Sequence, residues 1–299
     1  MYKLTDIVLG ADPEIFVENK GGILPAFKFL PSKYDPLKTP EEAQNFYWDG
    51  FQAEFNIKAS NNILACLRSI KFGLKALLNQ ARTVDPTAKF SLKTVVETPI
   101  AQLKTLNLEF IEFGCMPSYN LYNLAGLRKS GDETPYRFAG GHIHFGIKDL
   151  NPDYKSIVQA LDATLGVACV SLFEHFDNPI RRQYYGLAGE YRLPEHGLEY
   201  RTLSDAWLFH PMLAKEILRF ARQVVLNVLN KTYKWDASND EVIECILRSD
   251  VELARRILRR NLYFKTNLTD SYKGNLKLLF PIESQLPMND IATNWGLSG

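Results

Sequence analysis

The sequence predicts an α+β fold with a mainly antiparallel sheet and helices packed on its outer face. The first part of the chain is rich in β-branched and aromatic runs that end at Gly, Pro or Asn. The later half contains amphipathic helices separated by two further strands, without a regular βαβ order. No G-x-G-x-x-G or G-x-x-x-x-G-K-[ST] motif follows a strand. That absence disfavours a doubly wound nucleotide-binding fold.

The individual elements follow from hydrophobic periodicity. Strand-like patterns occupy residues 6–18, 51–59, 89–98, 106–115, 140–147 and 197–204. Apolar residues recur at helical spacing in residues 61–82, 154–176, 211–231 and 240–262. Pro211 suits the first turn of its helix, where the missing N–H is not needed. Because no repeat or long linker is visible, we expect one domain over residues 1–299, with approximately 206–299 as its C-terminal helical part.

The composition disfavours several classes of binding partner and of metal site. The 299 residues are 46% hydrophobic and 23% charged, as in an ordinary globular protein, and the net charge of +1 gives no overall attraction to nucleic acid or an anionic membrane. The first residues lack an apolar run of signal-peptide length, and later apolar stretches are interrupted by charges. Cys66, Cys115, Cys169 and Cys245 form no C-x-x-C pair. We therefore expect a cytoplasmic protein that binds neither nucleic acid nor membrane.

Four predicted strands carry polar residues two positions apart. Residues i and i+2 of a strand point to the same face, so His142 and His144 in RFAGGHIHFG project together. The same spacing places Asp12 beside Glu14 in one strand and Glu199 beside Arg201 in another. In FQAEFN, Glu54 shares a face with two polar neighbours. Each strand thus combines a polar face with an apolar one.

If these polar faces line one cavity, its carboxylates require a cation. Dense carboxylates raise one another's pKa values unless positive charge lies among them. Oxygen ligands with one or two imidazoles suit Mg²⁺ or Mn²⁺ better than structural zinc, and such ions bridge phosphate oxygens. Five arginines could hold a phosphate group, because a guanidinium fork matches its oxygens: Arg137, Arg181, Arg182, Arg192 and Arg201. The pattern therefore indicates metal-dependent chemistry on a phosphate-bearing substrate.

Each motif also has an ordinary structural interpretation. An H-x-H strand can be a solvated edge, although Gly140 and Gly141 permit close approach of a ligand. Asp-Pro at the first acidic pair favours a turn, and an E-x-R strand is often a surface ion pair. Cys115 lacks a nearby His–Asp arrangement and is better suited to packing or substrate contact than to nucleophilic attack. The roles of Asp49 and His196 stay open. His196 is close enough in sequence to the E-x-R strand to contact a metal-binding side chain without binding the ion itself.

Together these motifs resemble the glutamine synthetase-like carboxylate–amine ligases, and most closely the phage-type carboxylate–amine ligase type 2 family. An early acidic pair, a second acidic strand (DGFQAEFN), a G-G-H-x-H strand and a late E-x-R strand occur in the family's order. The resemblance covers roughly residues 8 to 205 and leaves out the C-terminal helices. It implies a glutamine synthetase-like catalytic fold and a phage protein acting in the host cytoplasm. A homo-oligomer is compatible with it, but the number of subunits stays open.

The resemblance also implies an activity and a role for each matching residue. The activity is ATP-dependent amide or peptide-type bond formation through an acyl phosphate, with small-molecule or peptide carboxylate and amine substrates. Asp12, His142 and Glu199 would bind one Mg²⁺ or Mn²⁺, and Glu14 and Glu54 the other. The remaining roles concern ATP: His144, Arg137, Gly140 and Gly141 would bind it, while the catalytic arginines Arg201, Arg192 and Arg182 would face its phosphates.

Two alternatives to this ligase activity stay open at the level of sequence. The same fold hosts phosphotransferases, which stop at a phosphorylated product. A non-catalytic nucleotide-binding or scaffold protein could also keep the fold. The first acidic residue is Asp12 where glutamine synthetases usually have Glu, and Asp49 and Glu54 are spaced more closely than that enzyme's second acidic pair.

Overall fold

A computed structural model describes residues 1–39, 44–112, 118–126, 131–148, 152–263 and 290–297. The strands are β1 Ile7–Ala11, β2 Glu14–Ile15, β3 Val17–Asn19, β4 Gly22–Leu24, β5 Leu37–Thr39, β6 Gln44–Asp49, β7 Gln52–Phe55, β8 Lys89–Phe90, β9 Val95–Glu97, β10 Tyr119–Asn120, β11 Tyr136–Phe138, β12 Ile143–Ile147, β13 Glu190–Arg192 and β14 Leu198–Tyr200. They form sheets of five (β1-β12-β14-β13-β10), four (β2-β7-β6-β5), three (β4-β3-β8) and two (β11-β9) strands. All pairings between these strands are antiparallel, which confirms the predicted α+β class.

The helices are α1 Ile63–Val84, α2 Ile100–Leu103, α3 Tyr154–Leu161, α4 Val167–Leu172, α5 Arg181–Tyr184, α6 Pro211–Leu229, α7 Asn239–Arg248, α8 Val251–Tyr263 and α9 Ile291–Asn294. A π-helical turn, Asp162–Gly166, joins α3 to α4. The Asn62 side chain caps α1 by accepting from the Leu64 and Ala65 amides, and Pro211 occupies the first turn of α6 as predicted. The long helices predicted at residues 61–82 and 211–231 are therefore confirmed.

The segment predicted as one strand at residues 6–18 is divided among three strands in three different sheets. β1 pairs with β12 in the five-stranded sheet, whereas β2 pairs with β7 in the four-stranded sheet. The chain changes sheet at Asp12-Pro13, where proline has no N–H to donate to a ladder. The prediction that Asp12 and Glu14 share one face of a single strand is therefore wrong, and the turn interpretation of Asp-Pro is the better one.

The helix predicted at 154–176 is interrupted by the π-helical turn and ends at Leu172, and three other predicted segments are divided or change type. Residues 89–98 form two strands, β8 and β9, that belong to different sheets. In the segment 106–115, Leu108–Phe110 is a 3₁₀ turn and not a strand, and residues 113–115 lie outside the described part of the chain. The helix predicted at 240–262 is divided into α7 and α8 at Ser249, which adopts a left-handed conformation with φ 49°.

The helices pack on one face of the five-stranded sheet and leave the other face polar. Ile143, Phe145 and Tyr200 of this sheet are fully buried, and the Tyr200 hydroxyl donates to Asp162 in the π-helical turn. One stretch of the described chain, Tyr154–Leu172, is long and apolar enough to cross a membrane, but 83% of its most apolar window is buried inside the protein. This stretch therefore has the burial of a core helix.

Candidate active site

The polar face of the five-stranded sheet aligns three of the predicted site residues in one row. His144 on β12 lies directly opposite Glu199 on β14, which in turn lies opposite Arg192 on β13. Directly opposed residues of antiparallel strands project to the same face, so the three side chains are neighbours. Gly10 of β1 completes the row beside His144, where it has no side chain to cover the imidazole.

The first group of candidate metal ligands consists of Asp12, His144 and Glu199, whose ligand atoms all lie within 4.8 Å of one another. His144 Nε2 lies 2.9 Å from Asp12 Oδ1, and its Nδ1 lies 2.9 Å from His196 Nε2. Burial raises the pKa of Asp12, but His144 and His142 lower it by more, so this carboxyl is held well below its usual range. Burial lowers the pKa of His144, but the Asp12 carboxylate outweighs it and the net shift is upward. An anionic Asp12 suits cation binding.

His142 lies beside this group, with a different set of contacts. Its Nδ1 is 3.4 Å from both Asp12 Oδ1 and Glu199 Oε1, and its Nε2 contacts the Tyr185 hydroxyl. Burial, together with the nearby Arg201 guanidinium, lowers the pKa of His142 to about 4. The sequence predicts that His142 binds the metal ion and that His144 faces the phosphates of ATP. The structure brings His142 to within 3.4 Å of both predicted partner carboxylates and places His144 in the same cluster through its contact with Asp12.

The second group consists of Glu14, Asp49 and Glu54, again with ligand atoms within 4.8 Å of one another. Glu14 on β2 and Glu54 on β7 are directly opposed across the four-stranded sheet, an arrangement that is unfavourable for like charges. Burial and the Asp49 carboxylate raise the pKa of Glu14 to about 8, and burial also raises the pKa values of Asp49 and Glu54. The Tyr47 hydroxyl donates to Glu54 Oε1 at 2.7 Å.

The donor chemistry of both groups fits hard divalent cations. Five carboxylates and one imidazole offer the oxygen-rich ligand set of Mg²⁺ or Mn²⁺. The three mutually close carboxylates of the second group repel one another, and a cation would relieve that repulsion. Asp49, whose role the sequence left open, thus joins the predicted ligands Glu14 and Glu54.

Two of the predicted arginines reach this site directly. Arg201 is 1% exposed and its Nη1 pairs with Glu199 Oε1, while its Nη2 donates to the Tyr185 hydroxyl at 3.1 Å. Arg192 Nε lies 3.6 Å from Glu199 Oε2, and its side chain is 28% exposed. These two guanidiniums therefore flank the carboxylate that belongs to the first ligand group.

The other three arginines donate mainly to backbone carbonyls. Arg137 donates to the carbonyls of Thr134, Tyr136 and Gly131. Arg181 and Arg182 both donate to the Thr202 carbonyl, just after β14.

Arg182 also pairs with Asp177 at 3.2 Å. These contacts give Arg181 and Arg182 the geometry of supports for the segment that follows Arg201. They differ from the phosphate-facing geometry predicted for Arg182, and the carbonyl contacts of Arg137 differ from the ATP contact predicted for it.

The glycine pair lies in closely packed surroundings. A Cβ on Gly140 would lie 2.5 Å from His142 Nε2 and 2.9 Å from the Tyr185 hydroxyl. A Cβ on Gly141 would clash with the Ser204 carbonyl oxygen. Protein atoms thus fill the position that a Cβ would take at both residues, so close packing within the protein requires glycine here. The Gly140 amide, moreover, donates to Glu14 Oε2 at 2.7 Å, which links the two ligand groups.

The sequence analysis missed two tyrosines of this site, Tyr185 and Tyr47, whose hydroxyls contact His142 and Glu54. Tyr47 lies two positions before Asp49 on β6, so the alternation of strand side chains could have identified it. Tyr185 follows Tyr184 in RRQYYGLAG, and nothing in that string shows which of the two rings enters the site. Cys115 falls outside the described residues.

Comparison with known proteins adds one finding. The family model described as Phage phiEco32-like COOH.NH2 ligase-type 2 matches residues 116–295. No curated protein matches the chain. The matched range contains His144, Glu199 and Arg201, whereas Asp12 and Glu14 precede it. It also includes the C-terminal helices, so the expectation that these helices carry no resemblance to the family is wrong.

Proposed function

Because the chain belongs to the Phage phiEco32-like COOH.NH2 ligase-type 2 family of carboxylate–amine ligases, we propose that it joins its substrates at the expense of ATP. In this proposal the fold is glutamine synthetase-like, two Mg²⁺ or Mn²⁺ ions assist, and the reaction passes through an acyl phosphate. The substrates are a small-molecule or peptide carboxylate and an amine.

The observation that supports this proposal best is the pair of three-residue ligand groups on either side of Pro13. Asp12, His144 and Glu199 would hold one ion, with the predicted ligand His142 3.4 Å from both of these carboxylates, and Glu14, Asp49 and Glu54 would hold the other. The ions, when bound, supply positive charge that neutralises a triphosphate. Two adjacent hard-cation sites next to buried guanidiniums are an arrangement suited to phosphoryl transfer.

The side chains of the protein have separate tasks in this reaction. Glu199 bonds Arg201 and lies 3.6 Å from Arg192, so one carboxylate orients two guanidiniums. Guanidiniums held in place in a buried site stabilise charge that develops on the phosphoryl oxygens. His196 contacts Nδ1 of His144 and so fixes the ring, leaving Nε2 directed at Asp12.

The proposed reaction has two steps. An oxygen of the substrate carboxylate attacks the terminal phosphorus of ATP, and the bond from that phosphorus to the bridging oxygen breaks to release ADP. The amine nitrogen then attacks the acyl carbon, the carbon–oxygen bond to phosphate breaks, and the amine loses a proton. The products are an amide, ADP and inorganic phosphate.

Calorimetry with MgATP and hydroxylamine trapping test this proposal. We expect MgATP to bind the wild-type protein, and a panel of carboxylates with ATP, Mg²⁺ and hydroxylamine to give a hydroxamate together with ADP. Hydroxylamine captures activated acyl groups, and release of ADP distinguishes an acyl phosphate from an acyl adenylate, which would release AMP. Asp12→Asn is expected to abolish turnover, whereas Glu18→Gln, whose carboxylate pairs with Lys89 away from the site, is the matched control. Failure of millimolar MgATP to bind would refute the proposal, and ADP release without hydroxamate would favour a phosphotransferase.

A further inference from the structure

We propose that Tyr185 is a positioning residue of this site, whose hydroxyl holds Arg201 in the orientation that recognises the terminal phosphate. This inference rests on the proposed function for the identity of the ligand. The side chain enters the site because the chain turns at the end of α5, where the Tyr185 amide donates to the Arg181 carbonyl at 2.8 Å. Gly186 follows in a left-handed conformation with φ 67°, which completes the turn.

The ring of Tyr185 lies close to two buried guanidiniums. Its centroid is 4.9 Å from Cζ of Arg181 and 5.4 Å from Cζ of Arg201. A cation within about 6 Å of an aromatic face is attracted to it, so the ring holds both arginines. Arg181 in turn donates to the carbonyls of Thr202 and Leu203, immediately after Arg201. The ring thus connects α5 to the end of β14.

The hydroxyl of Tyr185 determines the orientation of the Arg201 guanidinium. It accepts from Arg201 Nη2 at 3.1 Å and contacts His142 Nε2, while Arg201 Nη1 pairs with Glu199. Arg201 Nη1 also lies 3.3 Å from His142 Nδ1, and the tyrosine hydroxyl adds a contact at the other terminal nitrogen. A guanidinium bonded at both terminal nitrogens has its plane more tightly restricted than one bonded at Nη1 alone. A Cβ on Gly140 would lie 2.9 Å from the hydroxyl, so a larger residue there would disturb this contact.

Tyr185→Phe removes the hydroxyl and keeps the ring, so it isolates the contribution of the hydroxyl. Tyr184→Phe is the matched control. Tyr184 precedes Tyr185, and its ring stacks on Phe138 at 5.4 Å between centroids. The probes are AMP-PNP, ADP and Mn²⁺, measured by calorimetry. We expect Tyr185→Phe to weaken AMP-PNP binding by roughly 10-fold relative to ADP, which is the order of one hydrogen bond to a charged group. Mn²⁺ affinity is expected to stay within about threefold, and Tyr184→Phe to match the wild type in all three measurements.

The outcomes separate this inference from the proposed function. Wild-type protein that binds neither nucleotide would refute the proposed function itself. Nucleotide binding with an unchanged AMP-PNP to ADP ratio in Tyr185→Phe would refute only the role of Tyr185. An equal loss of affinity for AMP-PNP, ADP and Mn²⁺ would show that Tyr185 has only a general structural role, and would also refute the inference. If Tyr185→Phe does not fold, Gly140→Ala tests the same contact, because its Cβ would displace the Tyr185 hydroxyl. We expect Gly140→Ala to lower the ratio of AMP-PNP affinity to ADP affinity, and an unchanged ratio would count against the inference.

Discussion

Glu54→Gln should stabilise the metal-free protein, because Glu54 takes part in two of the three carboxylate pairs of its group. The ligand atoms of this group lie within 4.8 Å of one another, and two unit charges at that distance repel by about 3.5 kcal/mol at an effective dielectric constant of about 20. The raised pKa values of Glu14, Asp49 and Glu54 mean that bound protons relieve part of this repulsion. We therefore expect a net gain of about 1–3 kcal/mol, or roughly 2–5 °C in Tm. The glutamine amide would keep an oxygen to accept from Tyr47.

The same substitution should have the opposite effect when Mn²⁺ is present. A ligand at 100 times its Kd stabilises the protein that binds it by about 2.7 kcal/mol, and Glu54→Gln would lose most of that increment for one ion. Thermal melts at about pH 7.5, with chelator and with Mn²⁺, measure both effects. Glu18→Gln is the control, since its surface pair with Lys89 should change stability by no more than about 1 kcal/mol in either condition. A Glu54→Gln protein that melts lower than wild type in chelator, with an undiminished response to Mn²⁺, would contradict the reasoning.

Individual residues give three further predictions. Arg201→Lys should lower ATP turnover by roughly 100-fold at a similar Tm, because an ammonium cannot reproduce the contacts of both guanidinium nitrogens; turnover like that of wild type would remove Arg201 from the site. Burial raises the pKa of Asp162 to about 7, so the stabilisation from its protonated form is complete below pH 3.8 and is lost as pH rises through 7. Urea unfolding should show the stability of wild type relative to Asp162→Asn falling by at most about 4 kcal/mol between about pH 4 and pH 8, and a constant difference would contradict the shift. Ser249→Gly should stabilise the protein by about 0.5 kcal/mol in the same assay, because glycine adopts the left-handed conformation at the end of α7 without the side-chain cost; a loss of stability would count against this account.

Strand periodicity predicted those parts of the site that lie within one regular ladder. The alternation of side chains along β12 and β14 places His144 and Glu199 on the polar face and Phe145 and Tyr200 on the buried one, as the register confirms. His142 lies outside this ladder, because β12 begins at Ile143, yet its Nδ1 is 3.4 Å from both Asp12 and Glu199, the two residues predicted to bind the same ion. Periodicity describes residues within a strand and does not determine the direction of a side chain before its first residue.

Residues brought in by turns were beyond this kind of prediction. Tyr185 reaches the site from the end of α5, and its position depends on where that helix stops. Such endpoints depend on local features such as the left-handed Gly50 and Gly186, whose tertiary consequences are not visible in the sequence. The packing of Tyr185 over Gly140 likewise depends on contacts distant in the chain.

The change of sheet at Asp12-Pro13 explains how two cation sites can lie side by side without merging. Were residues 6–18 one strand, Asp12 and Glu14 would share a face and their carboxylates would join a single acidic group. Proline interrupts the ladder, so Asp12 stays with His144 on the five-stranded sheet while Glu14 is directed across to Glu54 on the four-stranded sheet. Replacement of Pro13 by a residue that can donate to a ladder should therefore affect both groups together. We expect Pro13→Ala to weaken Mn²⁺ binding at both sites by calorimetry, and loss at one site alone would show that the two sheets hold their ligands independently of this turn.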